Sequence, residues 1–161
     1  MTARRRVDPI DATLLNALIA DPDATNIAVA ESTGLARNTV RSRLARYAEE
    51  QTLRSFERRI DPTFLGYPLS AYIVMKVTQR KLSSVSKALS DVPEVLEVQG
   101  LSGISDLLVL VAARDADDLY RVAGRILDIP GVKRTNTGLV MRELVPYRIA
   151  QLVTLDEPKG K

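Results

Sequence analysis

Residues 25–47 constrain the fold of this chain more than any other segment. Two short helical patterns flank Gly34, and glycine readily adopts the left-handed conformation that ends one helix before another begins. Four arginines and no acidic residue occupy the second pattern: Arg37, Arg41, Arg43 and Arg46. Two helices joined by so short a turn predict a helix-turn-helix, and the cationic second helix makes double-stranded DNA the first partner to consider.

Composition excludes several classes of protein. The 161 residues suffice for one ordinary domain or two small ones. The absence of cysteine and histidine excludes thiol nucleophiles, disulfides, thiolate zinc sites and Ser-His-Asp triads. We therefore expect no metal, no cofactor and no enzyme; a carboxylate-based enzyme is a third and remote alternative. The net charge of +3 is only mildly basic, so an argument for nucleic acid depends on where the charge lies.

The apolar residues do not form a membrane segment. No apolar run approaches the roughly eighteen residues that a membrane span needs. The Met-Thr-Ala-Arg-Arg-Arg start has no apolar stretch behind it, which predicts that it is not a secretory signal. We expect a cytoplasmic, nucleoid-associated protein without a membrane partner.

The first third of the chain reads as three helices. Asp8 and Pro9 are typical of a helix start, and Thr25 can cap a second helix that Gly34 ends. The third helix must turn Val40 and its neighbours toward the other two. The apolar periodicity predicts these inward residues: Ile10, Leu14, Leu18, Val29, Ala30, Thr33, Val40, Leu44 and Tyr47.

The opposite side of the third helix is polar and cationic. At 100° per residue it holds Asn38, Ser42 and Arg46, with Thr39 and Arg41 on its flanks. Arginine can pair with guanine or clamp a phosphate, and asparagine can bind adenine. We place Asn38, Arg41 and Ser42 nearest the bases. We place Arg37, Thr39, Arg43 and Arg46 on phosphates.

Two further segments complete this prediction. Arg4, Arg5 and Arg6 could add backbone contacts, and residues 53–60 suit a wing or a connecting strand. The alternative is that the third helix is only a solvated cationic face of an ordinary three-helix domain.

The pattern changes beyond Asp61 and Pro62. Alternation over 69–77, a run over 95–101, an apolar run over 107–112 and residues 132–141 predict four strands. Helices are predicted around Val85 and after Asp115. Segments 89–95 and 126–132 repeat each other, which favours two similar units in the order βαββαβ, a ferredoxin-like domain. One sheet face then needs a cover, and we expect it to carry Tyr72, Val74, Leu96 and Val98.

The loop between the second and third predicted strands is longer than a tight turn requires. Residues 100–106 contain Gly100, Gly103 and Asp106. Glycine permits exposed amides that could hold a carboxylate, and Asp106 could hold an ammonium group, so a free amino acid is one candidate ligand. A hairpin in which Asp106 satisfies backbone amides is an equally good interpretation. The polar residues 135–137 are typical of a solvent-exposed face at the edge of a sheet.

Several weak motifs occur in a specific order over residues 8–147. They are Val7-Asp8, residues 30–35, Val40, Arg43-Leu44, Ile60-Asp61-Pro62, Leu65-Gly66, Pro93-Glu94-Val95, Ser102-Gly103, Asp106-Leu107-Leu108, Leu127 and Pro130-Gly131-Val132. In this order the chain resembles the Lrp/AsnC (leucine-responsive or feast-famine) regulators. The resemblance implies an α+β protein with an N-terminal winged helix-turn-helix and a C-terminal ferredoxin-like (βαββαβ, RAM) domain. It implies domains over 1–60 and 61–147, followed by a tail over 148–161 whose end we expect to be disordered.

The resemblance also implies partners and a site. Ser102, Gly103 and Asp106 look like the family's effector loop, with which we group Leu101, Ile104 and Thr137. An amino acid would bind there between RAM domains, and homodimers would assemble into tetramers or octamers. Three differences from the family pattern concern Ala36, Gln51 and the pair Ile104-Ser105.

The function that we expect is sequence-specific transcriptional regulation controlled by an amino acid. Two alternatives remain at this point. One is an ACT-like regulatory module that binds amino acids and acts through protein partners. The other is an orphan regulator without an effector.

Overall fold

The computed structural model describes residues 7–153, which form two compact units. The first comprises residues 7–55 with 145–153, and the second comprises residues 56–144. We expected the boundary after residue 60 and a separate tail from residue 148. The expectations for Arg4, Arg5, Arg6 and residues 156–161 lie outside the described residues.

Three helices form most of the first unit: α1 (Pro9–Ala20), α2 (Asn26–Thr33) and α3 (Arg37–Glu49). The Asp8 carboxylate accepts a hydrogen bond from the Asp11 amide at 2.7 Å, and the Thr25 hydroxyl accepts one from the Ala28 amide at 3.2 Å. Both predicted helix caps are therefore confirmed. The φ angle of Gly34 is 70°, the left-handed value that the turn required.

The core of the first unit lies between these helices. Its buried apolar residues are Leu14, Val29, Ala30, Val40 and Tyr47, with Leu18, Leu35 and Leu44 packed around them. The helical periodicity of the sequence predicted these residues except Leu35, because each helix can bury only one face. Ile10 and Thr33, also predicted to face inward, are only half-buried and lie outside this core. A short helix α6 (Ala150–Val153) also contacts α1, so the C-terminal segment belongs to this unit.

The predicted wing is absent from the described stretch 50–68. A strand over residues 53–60 was wrong: 3₁₀ turns occupy Phe56–Arg59 and Pro62–Leu65, and every residue from 53 to 60 is exposed. Extended backbone needs a neighbouring strand to satisfy its amides and carbonyls, and this segment has none within the described chain.

The second unit is an antiparallel sheet covered on one face by two helices. Its elements are β1 (Leu69–Val77), α4 (Leu82–Ser90), β2 (Val95–Gly100), β3 (Leu107–Ala113), α5 (Ala116–Leu127) and β4 (Val132–Leu139). The strands lie in the order β2-β3-β1-β4, which is the ferredoxin-like topology predicted from the sequence. Ile73 and Val109 pack under Val85, Leu89 and Ile126 at the centre of the core.

Neither α4 nor α5 of the second unit covers the other face of the sheet. Tyr72 lies opposite Leu110 and Val74 opposite Leu108, as expected for the uncovered side. One assignment to this face was wrong, because Val98 packs against the helix-side core. Leu96 is 49% exposed and lies where the register shifts between Val95 and Glu97. That irregularity changes which residues share a face, and strict alternation could not reveal it.

No α-helix in residues 7–153 combines the length and the apolar character that crossing a membrane requires.

Gln51 ends α3 in a left-handed conformation with a φ of 51°. The Thr52 amide donates to the Tyr47 carbonyl at 2.9 Å across it, as in a glycine-ended helix. A side chain costs about 1–2 kcal/mol in this region. We expect Gln51→Gly to raise the free energy of unfolding by about 1 kcal/mol, measured by thermal circular dichroism. Gln51→Ala keeps a β-carbon and should give no such gain; equal effects would contradict this account.

Candidate nucleic-acid interface and effector loop

The outward face of α3 carries four polar or cationic exposed side chains: Arg37, Asn38, Arg41 and Ser42. Arg37 lies 3.9 Å from Glu31, and both side chains are about 70% exposed, so this ion pair restrains Arg37 little. Thr39 is half-buried on the flank. The structure thus brings together five of the seven residues that the sequence placed at a DNA interface.

The first turn of α3 has no side-chain cap among the described residues. Ala36 occupies the cap position, and no side chain accepts a hydrogen bond from the first-turn amides. Thr33 does not compensate, because its hydroxyl donates to the Val29 carbonyl at 2.6 Å and accepts at 3.4 Å from the Leu35 amide, which precedes the helix. Amides left without a partner at a helix start favour negatively charged groups.

Arg43 and Arg46 lie elsewhere than predicted. The Arg43 guanidinium contacts the Asp8 carboxylate at 2.5 Å and the Asp11 carboxylate at 2.8 Å, and Arg46 contacts Asp11 at 2.6 Å. The placement of Arg46 on the outward face was therefore wrong. Long side chains can reach back across a helix surface, so the 100° rule locates their α-carbons but not their charges.

Asp11 is the residue that sequence reasoning missed. Its side chain is 8% exposed, and one of its oxygens accepts hydrogen bonds from Arg43, Arg46 and the Tyr47 hydroxyl at 2.6–2.8 Å. A signal existed: Asp11 precedes Leu14 by three residues and so shares the apolar face of α1, where a carboxylate must find partners.

Electrostatics of this cluster favour the ionised carboxylates. Burial raises the pKa of Asp11, but the hydrogen bonds from Tyr47 and Arg43 outweigh it and hold that pKa below its usual value. The Asp11 backbone amide and Arg43 lower the pKa of Asp8. Burial, aided by the bond to Asp11, raises the pKa of the Tyr47 hydroxyl. The cluster is therefore charged and hydrogen-bonded at neutral pH.

Both carboxylate oxygens of Asp106 accept hydrogen bonds from residues at or just after the end of β1. Its carboxylate accepts from the Val77 amide at 2.8 Å, from Lys76 at 3.1 Å and from Gln79 at 3.0 Å. The Val77 amide and the Lys76 side chain lower the pKa of Asp106. Of the two interpretations of this residue, the hairpin anchor matches its contacts, and both carboxylate oxygens already have donors.

The rest of the loop is open to solvent. Leu101, Ser102, Gly103 and Ile104 are exposed, with Ile104 at 85%, and the φ of Gly103 is 110°. Thr137 lies on β4 opposite Ile73, and β1 separates it from the strand that follows the loop. One copy of the chain therefore groups the loop residues but leaves Thr137 apart. Residues 7–153 contain no group of three or more carboxylates placed to hold a metal ion.

Two family models match the two units. The AsnC-type helix-turn-helix domain matches residues 7–47, and the Lrp/AsnC ligand binding domain matches residues 70–150. The chain belongs to the Lrp/AsnC family of transcriptional regulators. These matches confirm the family, the helix-turn-helix and the ligand-binding domain that the ordered motifs predicted.

Named Lrp/AsnC relatives cover most of the chain. HTH-type transcriptional regulator FL11 of Pyrococcus horikoshii is 32% identical over 136 residues, which span 84% of this chain and 90% of that protein. AldR of Mycolicibacterium smegmatis is 32% identical over 144 residues, which span 87% of this chain and 84% of AldR.

Solved structures share the fold. The feast or famine regulatory protein of M. tuberculosis, complexed with L-methionine, has a TM-score of 0.77 at 26% identity and covers 89% of this chain and 98% of its own. E. coli AsnC has a TM-score of 0.79 at 21% identity, and the match covers 91% of this chain and 99% of AsnC. At this identity the likeness supports the fold alone.

The Tyr47 hydroxyl provides a test of the Asp11 cluster. Tyr47→Phe keeps the ring but removes one donor to a carboxylate, and we expect it to lower the free energy of unfolding by about 1.5–3 kcal/mol. Because the folded pKa of Asp11 is lowered, its contribution is present above about pH 4 and lost as pH falls through the folded pKa. Urea unfolding at pH 7 and pH 3 measures this. Tyr120→Phe, at an exposed position, is the control, and a cost that persists undiminished at pH 3 would contradict the prediction.

Proposed function

We propose that this Lrp/AsnC protein binds double-stranded DNA in a sequence-specific manner through the outward face of α3. Asn38, Arg41 and Ser42 contact base edges in the major groove, and Arg37 and Thr39 contact the backbone. The observation that carries this proposal is the exposed polar face of α3 on a packed three-helix unit. Arg43 and Arg46 have an internal role instead.

The start of α3 supports the same orientation. Its first-turn amides have no side-chain cap among the described residues, and a DNA phosphate there would supply the missing acceptor. The loose pair between Arg37 and Glu31 leaves Arg37 able to turn toward that phosphate.

Duplexes selected from a random library provide the specific ligand for a test. In polarisation titrations we expect Asn38→Ala or Arg41→Ala to weaken binding of the selected duplex by about 1–3 kcal/mol per base contact. Binding of a mixed-sequence duplex should change much less. Arg80→Ala, an exposed arginine of the second unit, is the matched control. Equal affinities of wild type and both α3 variants for the selected duplex would refute this interface.

We propose further that the exposed loop of the second unit binds an amino-acid effector. Leu101, Ser102, Gly103 and Ile104 supply its contacts, and Asp106 anchors the loop to β1 rather than serving as a free ammonium ligand. The left-handed Gly103 leaves backbone amides accessible to a carboxylate. Thr137 joins this site only if a second copy supplies it. The complex of the M. tuberculosis relative with L-methionine supports an amino acid as the ligand class.

The uncovered sheet face supports assembly into homodimers and, from them, tetramers or octamers. Tyr72 is 44% exposed in the single chain, and Val74, Leu108 and Leu110 lie beside it. Exposed apolar side chains of this kind are stabilised when a second copy covers them. The effector then acts by binding one assembly better than another, and the protein regulates transcription in the cytoplasm on the nucleoid.

Light scattering with and without each amino acid measures assembly and effector response together. We expect a mass above that of one chain, and a shift in mass with at least one amino acid. Asp106→Ala should abolish the shift because the loop loses three anchors, whereas Asp117→Ala, at an exposed acid of α5, should not. A monomer mass would contradict the assembly. No shift and no calorimetric heat with any amino acid would contradict the effector role.

A further inference from the structure

The four arginines of α3 fall into two classes. Arg37 and Arg41 are exposed, whereas the side chains of Arg43 and Arg46 are only 20% and 22% exposed. The helix therefore presents about half of its positive charge freely to solvent.

The carboxylates of Asp8 and Asp11 restrain Arg43 and Arg46. Arg43 lies between Asp8 and Asp11, and Arg46 shares the same Asp11 oxygen. Each guanidinium thus has an anion at hydrogen-bond distance within its own unit. An arginine must break such contacts before it can give the same donors to a phosphate, so its attraction to DNA is reduced.

The charge balance of the unit makes this restraint consequential. Residues 7–55 contain five arginines, no lysine and seven acidic residues. This segment is therefore not basic overall, and its attraction to DNA depends on which arginines are not held tightly by a carboxylate. The outward pair and the exposed Arg54 supply that attraction, while Arg43 and Arg46 are neutralised internally.

We propose that Asp8 and Asp11 limit the affinity of this protein for DNA of any sequence by holding Arg43 and Arg46 away from the phosphates. Both acids are positioning residues, because they act through the arginines and touch no base. Sequence-independent affinity comes from phosphate contacts, whereas the base contacts of Asn38 and Arg41 are unaffected. The restraint therefore raises the ratio of specific to non-specific binding. This inference rests on the proposed function of α3.

The salt dependence of binding to a mixed-sequence duplex tests the restraint in the full chain. Asp8→Asn removes the charge beside Arg43 and preserves the cap of α1, because asparagine caps a helix as well as aspartate does. We expect the slope of log affinity against log salt to steepen, by up to about 0.9 for each arginine that gains a phosphate. Asp11→Asn, of nearly the same shape, should steepen it further if the unit stays folded.

Three control variants distinguish two causes of a steeper salt slope: release of Arg43 from its carboxylates, and a mere increase in net charge. Glu49→Gln raises the charge of α3 by the same unit and should change the slope less than Asp8→Asn does. Arg43→Gln added to Asp8→Asn should return the slope toward the wild-type value. Arg43→Gln alone should leave the slope unchanged, because in the wild type that side chain contacts no phosphate.

The same titrations distinguish failure of this inference from failure of the proposed function. A slope for Asp8→Asn equal to that of Glu49→Gln, or a flatter slope for Arg43→Gln alone, would overturn the restraint. In that case Arg41→Ala would still weaken the selected duplex if the α3 interface is correct. If Asp11→Asn does not fold by circular dichroism, Asp8→Asn decides the outcome.

Discussion

The buried Asp11 carboxylate organises the first unit. A carboxylate that is 8% exposed is tolerated only when donors replace its water, and Arg43, Arg46 and Tyr47 supply three hydrogen bonds. These donors occur at i, i+3 and i+4 of α3, so they share one helical face. The contact therefore specifies which side of α3 meets α1. The opposite side, with Asn38, Arg41 and Ser42, stays exposed.

A second carboxylate has a comparable role in the second unit. Asp106 bonds to Val77, Lys76 and Gln79, which ties the start of β3 to the end of β1. The exposed residues of the loop then lie beyond a rigid anchor. In both units a buried acid stabilises the scaffold, and the exposed polar or loop residues lie on segments that this acid holds in place. Function and structural support are thus divided among adjacent residues.

Local patterns predicted most of the fold. Asp8, Thr25 and Asp115 were identifiable as helix caps because a cap depends on residues within one turn. Apolar periodicity located all four strands. The predictions failed where the conformation of a segment depends on residues that are distant in the sequence. Residues 53–60 had strand composition but no partner strand, and Val98 faced the helices because β2 has an irregular register with β3. Neither fact is encoded in a short stretch of sequence.

By itself the sequence determined the order of elements, the family and the presence of a cationic helix after Gly34. These follow from composition, caps and periodicity, which act over a few residues. Only the tertiary structure decided which of the four arginines remain available. Asp8 and Asp11 lie more than thirty residues from Arg43 in the chain, and folding brings their carboxylates to 2.5 and 2.8 Å from its guanidinium. A charge counted in the sequence becomes a free charge or a neutralised one only through such long-range contacts.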